Sequence, residues 1–230
     1  MSYRRRIKKH LHNLKIRLRG REKVFIIGAN KTGTTSLEAF LKELGYSLVL
    51  QSRFERLQDA YRNQDFAPIL ELCKTAEAFQ DVPFSLSTNA FLDELRRTFP
   101  KAKFILSVRD NASVWAGSLT RFHRKMFYEG IDDITWDDVR AVAYNNNGTI
   151  KGMLHLHGLT ELTSDYAKPP YDPEVLEQWY SAYNDRIRSY FQHSPDFLEV
   201  NLKELDAAKR IQEFLGLEVR IKEMPRLNQS

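Results

Sequence analysis

Residues 24 to 36 read VFIIGANKTGTTS, an apolar run that breaks into a glycine-bounded loop carrying a lysine and then Thr34, Thr35 and Ser36. Val24 to Ile27 read as a buried strand, and the spacing of Leu37, Phe40, Leu41 and Leu44 predicts an amphipathic helix opening near Thr34 or Thr35. The loop therefore joins a strand end to a helix start. Backbone N–H groups there point outward unpaired and carry partial positive charge, which suits a phosphate or sulfate oxygen. A Walker A loop has the form G-x-x-x-x-G-K-[ST]. Gly28 and Gly33 keep that spacing, but Thr34 holds the lysine position and Lys31 lies inside the loop, which argues against a nucleoside triphosphate. A plain strand-to-helix turn is the competing reading, and it has no use for a lysine beside a Thr-Thr-Ser run.

A second apolar run, KFILSV at 103 to 108, ends in Arg109-Asp110 before a helix expected from Ala112 to about Phe127. In an open α/β sheet, ligands gather outside the carboxyl ends of the strands, which would bring Lys31 and Arg109 together. A guanidinium grips phosphate through two parallel hydrogen bonds, whereas an ammonium acts as a point charge. The pair suits a ligand with two separate anionic groups. Alone, Arg109 would read as a surface residue or a partner of Asp110.

These two segments together resemble the sulfotransferase family, enzymes that use 3′-phosphoadenosine 5′-phosphosulfate (PAPS) as donor and release adenosine 3′,5′-bisphosphate. The resemblance covers most of residues 23 to 215. It implies that Lys31, Thr32, Gly33, Thr34, Thr35 and Ser36 form the 5′-phosphosulfate loop, and that Arg109 with a later serine holds the 3′-phosphate. DVPF at 81 to 84, YNDRIRSYF at 183 to 191, LEVNLKE and FLGL are supporting echoes. The sequence departs from the family in one place: the serine position, eight residues after the arginine, is Gly117, and Ser118 comes one later. A one-residue insertion around 111 to 113 would restore the register, with Ser113 as the weaker substitute.

Sulfuryl transfer shares the logic of phosphoryl transfer, in which the protein positions two partners in line and stabilises spreading negative charge. Lys31 is the residue expected to stabilise charge on the bridging oxygen. A hydroxyl acceptor also needs a general base, and the expected one is Asp81, at the edge of a strand read at 78 to 81. The alternative for Asp81 is a helix cap or a surface ion pair. His155, His157 and His123 are competing bases, and with one cysteine in the chain no metal-ligand set is expected.

The remaining features bound the setting. A chain of 230 residues with 42% apolar side chains suits one α/β domain. Lone Cys73 excludes an intrachain disulfide and fits a reducing compartment, and no apolar run is long enough to span a membrane, so a cytoplasmic location is expected, peripheral to a membrane if the arm described next binds one. Residues 1 to 23 hold ten Lys or Arg and one Glu, or +9, which leaves +5 − 9 = −4 for the rest. Ile7, Leu11, Leu14 and Leu18 recur at helical spacing in this arm, 1 to 22, the pattern of a helix lying on an anionic membrane surface; a solvated basic helix or a tail is the alternative. No nucleic-acid motif accompanies the charge, and no nucleic acid partner is expected.

The expected fold is α/β, a central parallel sheet flanked by helices in a P-loop-like sulfotransferase arrangement spanning 23 to 230. Strands are expected at 24 to 28, 46 to 50, 78 to 81, 103 to 108 and 197 to 201. The segment 128 to 171 shows turn signals without a clear strand and reads as an insertion that shapes the acceptor site for a small molecule, lipid or carbohydrate. Two other functions compete: a kinase with an aberrant phosphate loop, and an inactive nucleotide-fold module that binds membrane surfaces.

Overall fold

The structure is a computed structural model that describes residues 20–142 and 168–225. Four parallel strands lie in the order β2-β1-β3-β4: β1 (Val24–Ile26), β2 (Ala78–Phe79), β3 (Lys103–Val108) and β4 (Phe197–Asn201). β1 is central, with Val24 opposite both Ala78 and Lys103, and β3 extends along the whole of β4. Val24, Phe25 and Ile26 are all buried, because a parallel sheet with helices on both faces has no wet side.

The helices follow from apolar spacing and caps. α1 (Thr34–Glu43) buries Leu37, Phe40 and Leu41. Three short helices follow, α2 (Gln51–Glu55), α3 (Gln58–Arg62) and α4 (Ala67–Cys73). A 3₁₀ turn at Phe84–Leu86 precedes α5 (Asn89–Thr98), whose start is fixed by the Thr88 hydroxyl accepting from the Phe91 N–H. α6 (Ala112–Phe127) begins under Asn111, whose side chain accepts from the Val114 N–H. Then come α7 (Trp136–Ala141), α8 (Pro173–Tyr190) opening at Asp172-Pro173, and α9 (Ala207–Phe214).

Two expectations change. The strand expected at 46 to 50 is reduced to one parallel bridge between Leu48 and Ala78, because Ser47 spends its carbonyl on the Glu77 and Ala78 N–H groups and the chain then turns into α2. The strand expected at 78 to 81 stops at Phe79, since Asp81 takes a left-handed backbone (φ 63°) that no strand admits. Most of the segment read as an insertion falls at 143 to 167, outside the described residues, as do His155, His157 and positions 1 to 19 of the basic arm. From Arg21 onward the chain is tied down: Arg21 donates to the Leu44 carbonyl and lies over the Tyr46 ring, and Lys23 donates to the Ala76 carbonyl. No helix among the described residues is long and apolar enough to cross a membrane.

Candidate active site

The loop between β1 and α1 passes over β3 so closely that a side chain at Gly28 would collide with both the backbone and the hydroxyl of Ser107. Thr32 turns inward at this point. Its N–H and its hydroxyl both donate to the Ala29 carbonyl, and the hydroxyl lies 2.6 Å from Ser107 Oγ. Thr32, expected to hold the donor, therefore braces the loop with its own polar groups. Lys31 (φ 69°) and Gly33 (φ 97°) are both left-handed, and this double reversal turns the chain into α1; a Cβ on Gly33 would also run into Leu202.

No side chain caps α1, and its first turn holds no acidic residue. The N–H groups of Thr34 and Thr35 have no carbonyl one turn earlier in the helix to receive them, so the helix end presents donors and partial positive charge to whatever lies over the loop. Thr34 and Ser36 are buried and Thr35 is exposed.

Aromatic residues hold this loop from behind. Trp115 Nε1 donates to the Asn30 carbonyl at 2.7 Å, and the Tyr183 hydroxyl donates to the Ile27 carbonyl at 2.6 Å. Trp115 stacks on Tyr180 and Trp179, and Trp179 stacks on Tyr183, so a continuous aromatic pile between α6 and α8 backs the loop between β1 and α1. Trp136 donates to the Lys168 carbonyl and belongs to a buried cluster beside the same pile.

Arg109 arrives at the end of β3. Its N–H donates to the Tyr180 hydroxyl at 2.8 Å, and its Nε donates to the Lys31 carbonyl at 2.6 Å. The two terminal guanidinium nitrogens make no hydrogen bond to the described residues. Asp110, the obvious partner by sequence, is engaged elsewhere, accepting from Asn201 Nδ2 and Lys203 Nζ at the end of β4. Burial and then the charge of Arg109 hold the Lys31 ammonium below its usual pKa, and burial lowers Arg109 in turn. The Lys31 ammonium stands 3.6 Å from the centre of the Phe122 ring.

Ser118 lies on the same helix, one turn after Trp115 and one turn before Phe122, both of which meet the loop. It is 3% exposed, and its hydroxyl has no partner among the described residues. A buried hydroxyl left unpaired is rare in a native site and fits a ligand oxygen. Asn111 caps α6, and Ser118 follows it two turns into the helix.

Asp81 emerges past β2 at the same end of the sheet. Its Oδ1 accepts from Asn30 Nδ2 at 2.5 Å and from the Val82 N–H at 2.9 Å, so the loop that carries Lys31 also orients this carboxylate. Its side chain caps no helix. Burial pushes its pKa up to about 6, against the lowering pull of the Val82 N–H, Asn30 and Lys31. His123 is also near, but its Nδ1 is paired with the Tyr171 hydroxyl at 2.8 Å, and burial drives its pKa down to about 3. A ring so reluctant to take a proton is a poor general base at neutral pH. No group of three or more His, Cys, Asp or Glu that could hold a metal ion occurs among the described residues.

A sulfotransferase-domain profile matches residues 23–230. The chain belongs to the sulfotransferase family. That match spans nearly all of the chain beyond its basic arm, and the parallel α/β sheet agrees with it. The family's chemistry is sulfuryl transfer, and this sulfotransferase presents Lys31, Arg109, Ser118 and Asp81 at one end of its sheet. No curated protein matches the chain. Sequence reasoning missed two residues here, Asn30 and Phe122, whose roles come from contacts made across the fold.

Proposed function

We propose that this sulfotransferase moves the sulfuryl group of PAPS to a hydroxyl on a small-molecule, lipid or carbohydrate acceptor, releasing adenosine 3′,5′-bisphosphate. The observation that carries the reading is the meeting of two cations, Lys31 and Arg109, over a helix end that no side chain caps. The buried, unpaired hydroxyl of Ser118 supports it.

The donor supplies an electrophilic sulfur already bonded to a phosphate leaving group. Loop residues Lys31, Gly33, Thr34, Thr35 and Ser36 would hold its 5′ end through backbone N–H groups and hydroxyls. Arg109 and Ser118 would hold its 3′-phosphate. Asp81 would take the acceptor hydroxyl's proton as the new oxygen–sulfur bond forms. Lys31 would stabilise the charge left on the phosphate oxygen as the old sulfur–oxygen bond breaks. With a pKa of about 6, Asp81 is ionised at neutral pH and ready to accept that proton.

Thermal shifts with adenosine 3′,5′-bisphosphate and with adenosine 5′-phosphate test the 3′-site. The bisphosphate should stabilise the parent protein more, and Arg109→Ala should erase the difference, a loss of roughly tenfold or more in affinity for a bidentate charged contact. Equal stabilisation of the parent by both nucleotides would defeat the assignment.

A further inference from the structure

We propose that Phe122 is a positioning residue of this site: the face of its ring holds the Lys31 ammonium at the donor loop and keeps it from pairing with Asp81. The inference rests on the roles given above to Lys31 and Asp81, and it supplies the reason that a cation and a base stand in one site without cancelling each other.

The two charges are near neighbours. Asn30 Nδ2 lies 2.5 Å from Asp81 Oδ1, and Lys31 is the next residue along the chain. Adjacent Cα atoms are about 3.8 Å apart and a lysine head moves on a flexible four-carbon stem, so the ammonium has the reach to meet the carboxylate. Opposite charges in a half-buried site attract strongly enough to draw such a pair together. They are nevertheless apart: Lys31 and Asp81 form no ion pair, and the ammonium makes no hydrogen bond to any described residue.

Each charge is held by a neutral group instead. The ammonium stands 3.6 Å from the centre of the Phe122 ring, a close contact for a cation over an aromatic face. The Asn30 amide and the Val82 N–H share Asp81 Oδ1, which leaves Oδ2 without a hydrogen bond among the described residues. An ion pair would spend both groups. The carboxylate would lose proton affinity and its open oxygen, and the ammonium would be drawn away from the oxygen that becomes charged as the donor breaks. A ring face attracts a cation without neutralising it, so Lys31 keeps its charge for that oxygen.

Packing does not account for Phe122. It lies on α6 one turn after Ser118, is 36% exposed, and belongs to none of the buried apolar clusters. The other charges that bear on the pair are Arg109 at the end of β3, which opposes the ammonium, and Glu55 at the end of α2, which opposes the carboxylate. His123, on α6, is buried and neutral at pH 7.

Titration of the Asp81 carboxyl in the full chain, followed by carbon NMR and assigned by loss of the signal in Asp81→Asn, tests the proposal without donor or acceptor. The parent midpoint should lie at about 6. Phe122→Leu releases the ammonium, and the midpoint should fall by about one unit or more as the pair forms. Phe122→Met, a second aliphatic replacement, should do the same, whereas Phe122→Tyr, which keeps the ring face, should titrate with the parent. Combined with Lys31→Ala, Phe122→Leu should leave the midpoint where Lys31→Ala alone puts it.

A midpoint unmoved in both aliphatic variants would overturn the proposal and leave the donor reading in place. A fall that persists without Lys31 would also overturn it, since the ring would then act on Asp81 through burial alone. Calorimetry of the parent with adenosine 3′,5′-bisphosphate and with adenosine 5′-phosphate checks the reading beneath it. Equal affinity for the two would reject the donor site, and with it the task assigned to Phe122, whatever the titration shows.

Discussion

Burial lifts the Asp81 carboxyl to about 6, while the Val82 N–H and the Asn30 amide act against that rise. An unfolded aspartate titrates near 3.9, so the folded state binds the proton more tightly. Below about pH 4 the group is protonated in both states, and above about pH 6 it is ionised in both, with only the folded state bearing the burial cost. Asp81 therefore withdraws stability as pH rises from about 4 to 6, by on the order of 1 to 3 kcal/mol. In Asp81→Asn the amide oxygen can still accept from Asn30 and Val82. That variant should melt with the parent at pH 4 and above it at pH 7, while transfer falls roughly a hundredfold or more, the usual worth of a general base. A variant that melts below the parent at every pH would show that the carboxylate is needed for packing. In the parent, turnover should decline as pH drops through 6. Lys31→Ala should stay folded, because among the described residues its ammonium contacts only the partly exposed Phe122 ring, and should lose most turnover; Lys31→Arg should be only a partial rescue, since a planar fork fills the compact loop differently. Single-turnover transfer at saturating donor measures both once an acceptor is found.

At the scale of elements, the loop is held in its strained shape by α6 and α8. Trp115→Phe would preserve most of the stacking on Tyr180 but remove the hydrogen bond to the Asn30 carbonyl. The expected cost is about 1 to 3 kcal/mol in denaturant melts if that carbonyl is left dry, together with weaker binding of adenosine 3′,5′-bisphosphate by the loosened loop. Unchanged affinity would mean that the loop keeps its shape without this brace. The loop, β1, β3, α1 and α6 were legible in the chain because local spacing and caps determine them: Leu37, Phe40 and Leu41 mark one face of α1, and Asn111 stops the chain from entering α6 earlier. What stayed hidden depends on contacts between segments distant in the chain. Thr32 looks like one more hydroxyl for the ligand until Gly28 brings Ser107 beneath it. Asp81 reads as a strand-edge residue, but its left-handed backbone ends β2 before it. Trp179 and Tyr180 read as helix core, and their second duty, backing the loop between β1 and α1 through Trp115, exists only once α6 and α8 pack.

For the whole molecule, the sheet gathers the chemistry at the carboxyl ends of β1, β2 and β3, and the chain enters the fold at the other pole. Arg21 docks on the carboxyl end of α1, next to the start of β1, far from the loop at the helix's opposite end. Removal of residues 1 to 19 spares Arg21 and Lys23 and should leave the melting temperature and nucleotide affinity unchanged. The truncated protein should no longer sediment with anionic vesicles if the basic arm is the membrane-binding element that the +8 charge and apolar spacing of residues 1 to 19 suggest. Vesicle binding that survives the truncation would place it on the domain. Sulfuryl transfer from PAPS and phosphoryl transfer from a nucleoside triphosphate make opposite demands on this one pole: two separated anionic groups without a metal, or a triphosphate with magnesium. Calorimetry with adenosine 3′,5′-bisphosphate and with ATP, each with and without magnesium, measures that choice directly. The account predicts that the bisphosphate binds at least about tenfold more tightly than ATP and is indifferent to magnesium. Tighter binding of ATP, and only when magnesium is present, would contradict it.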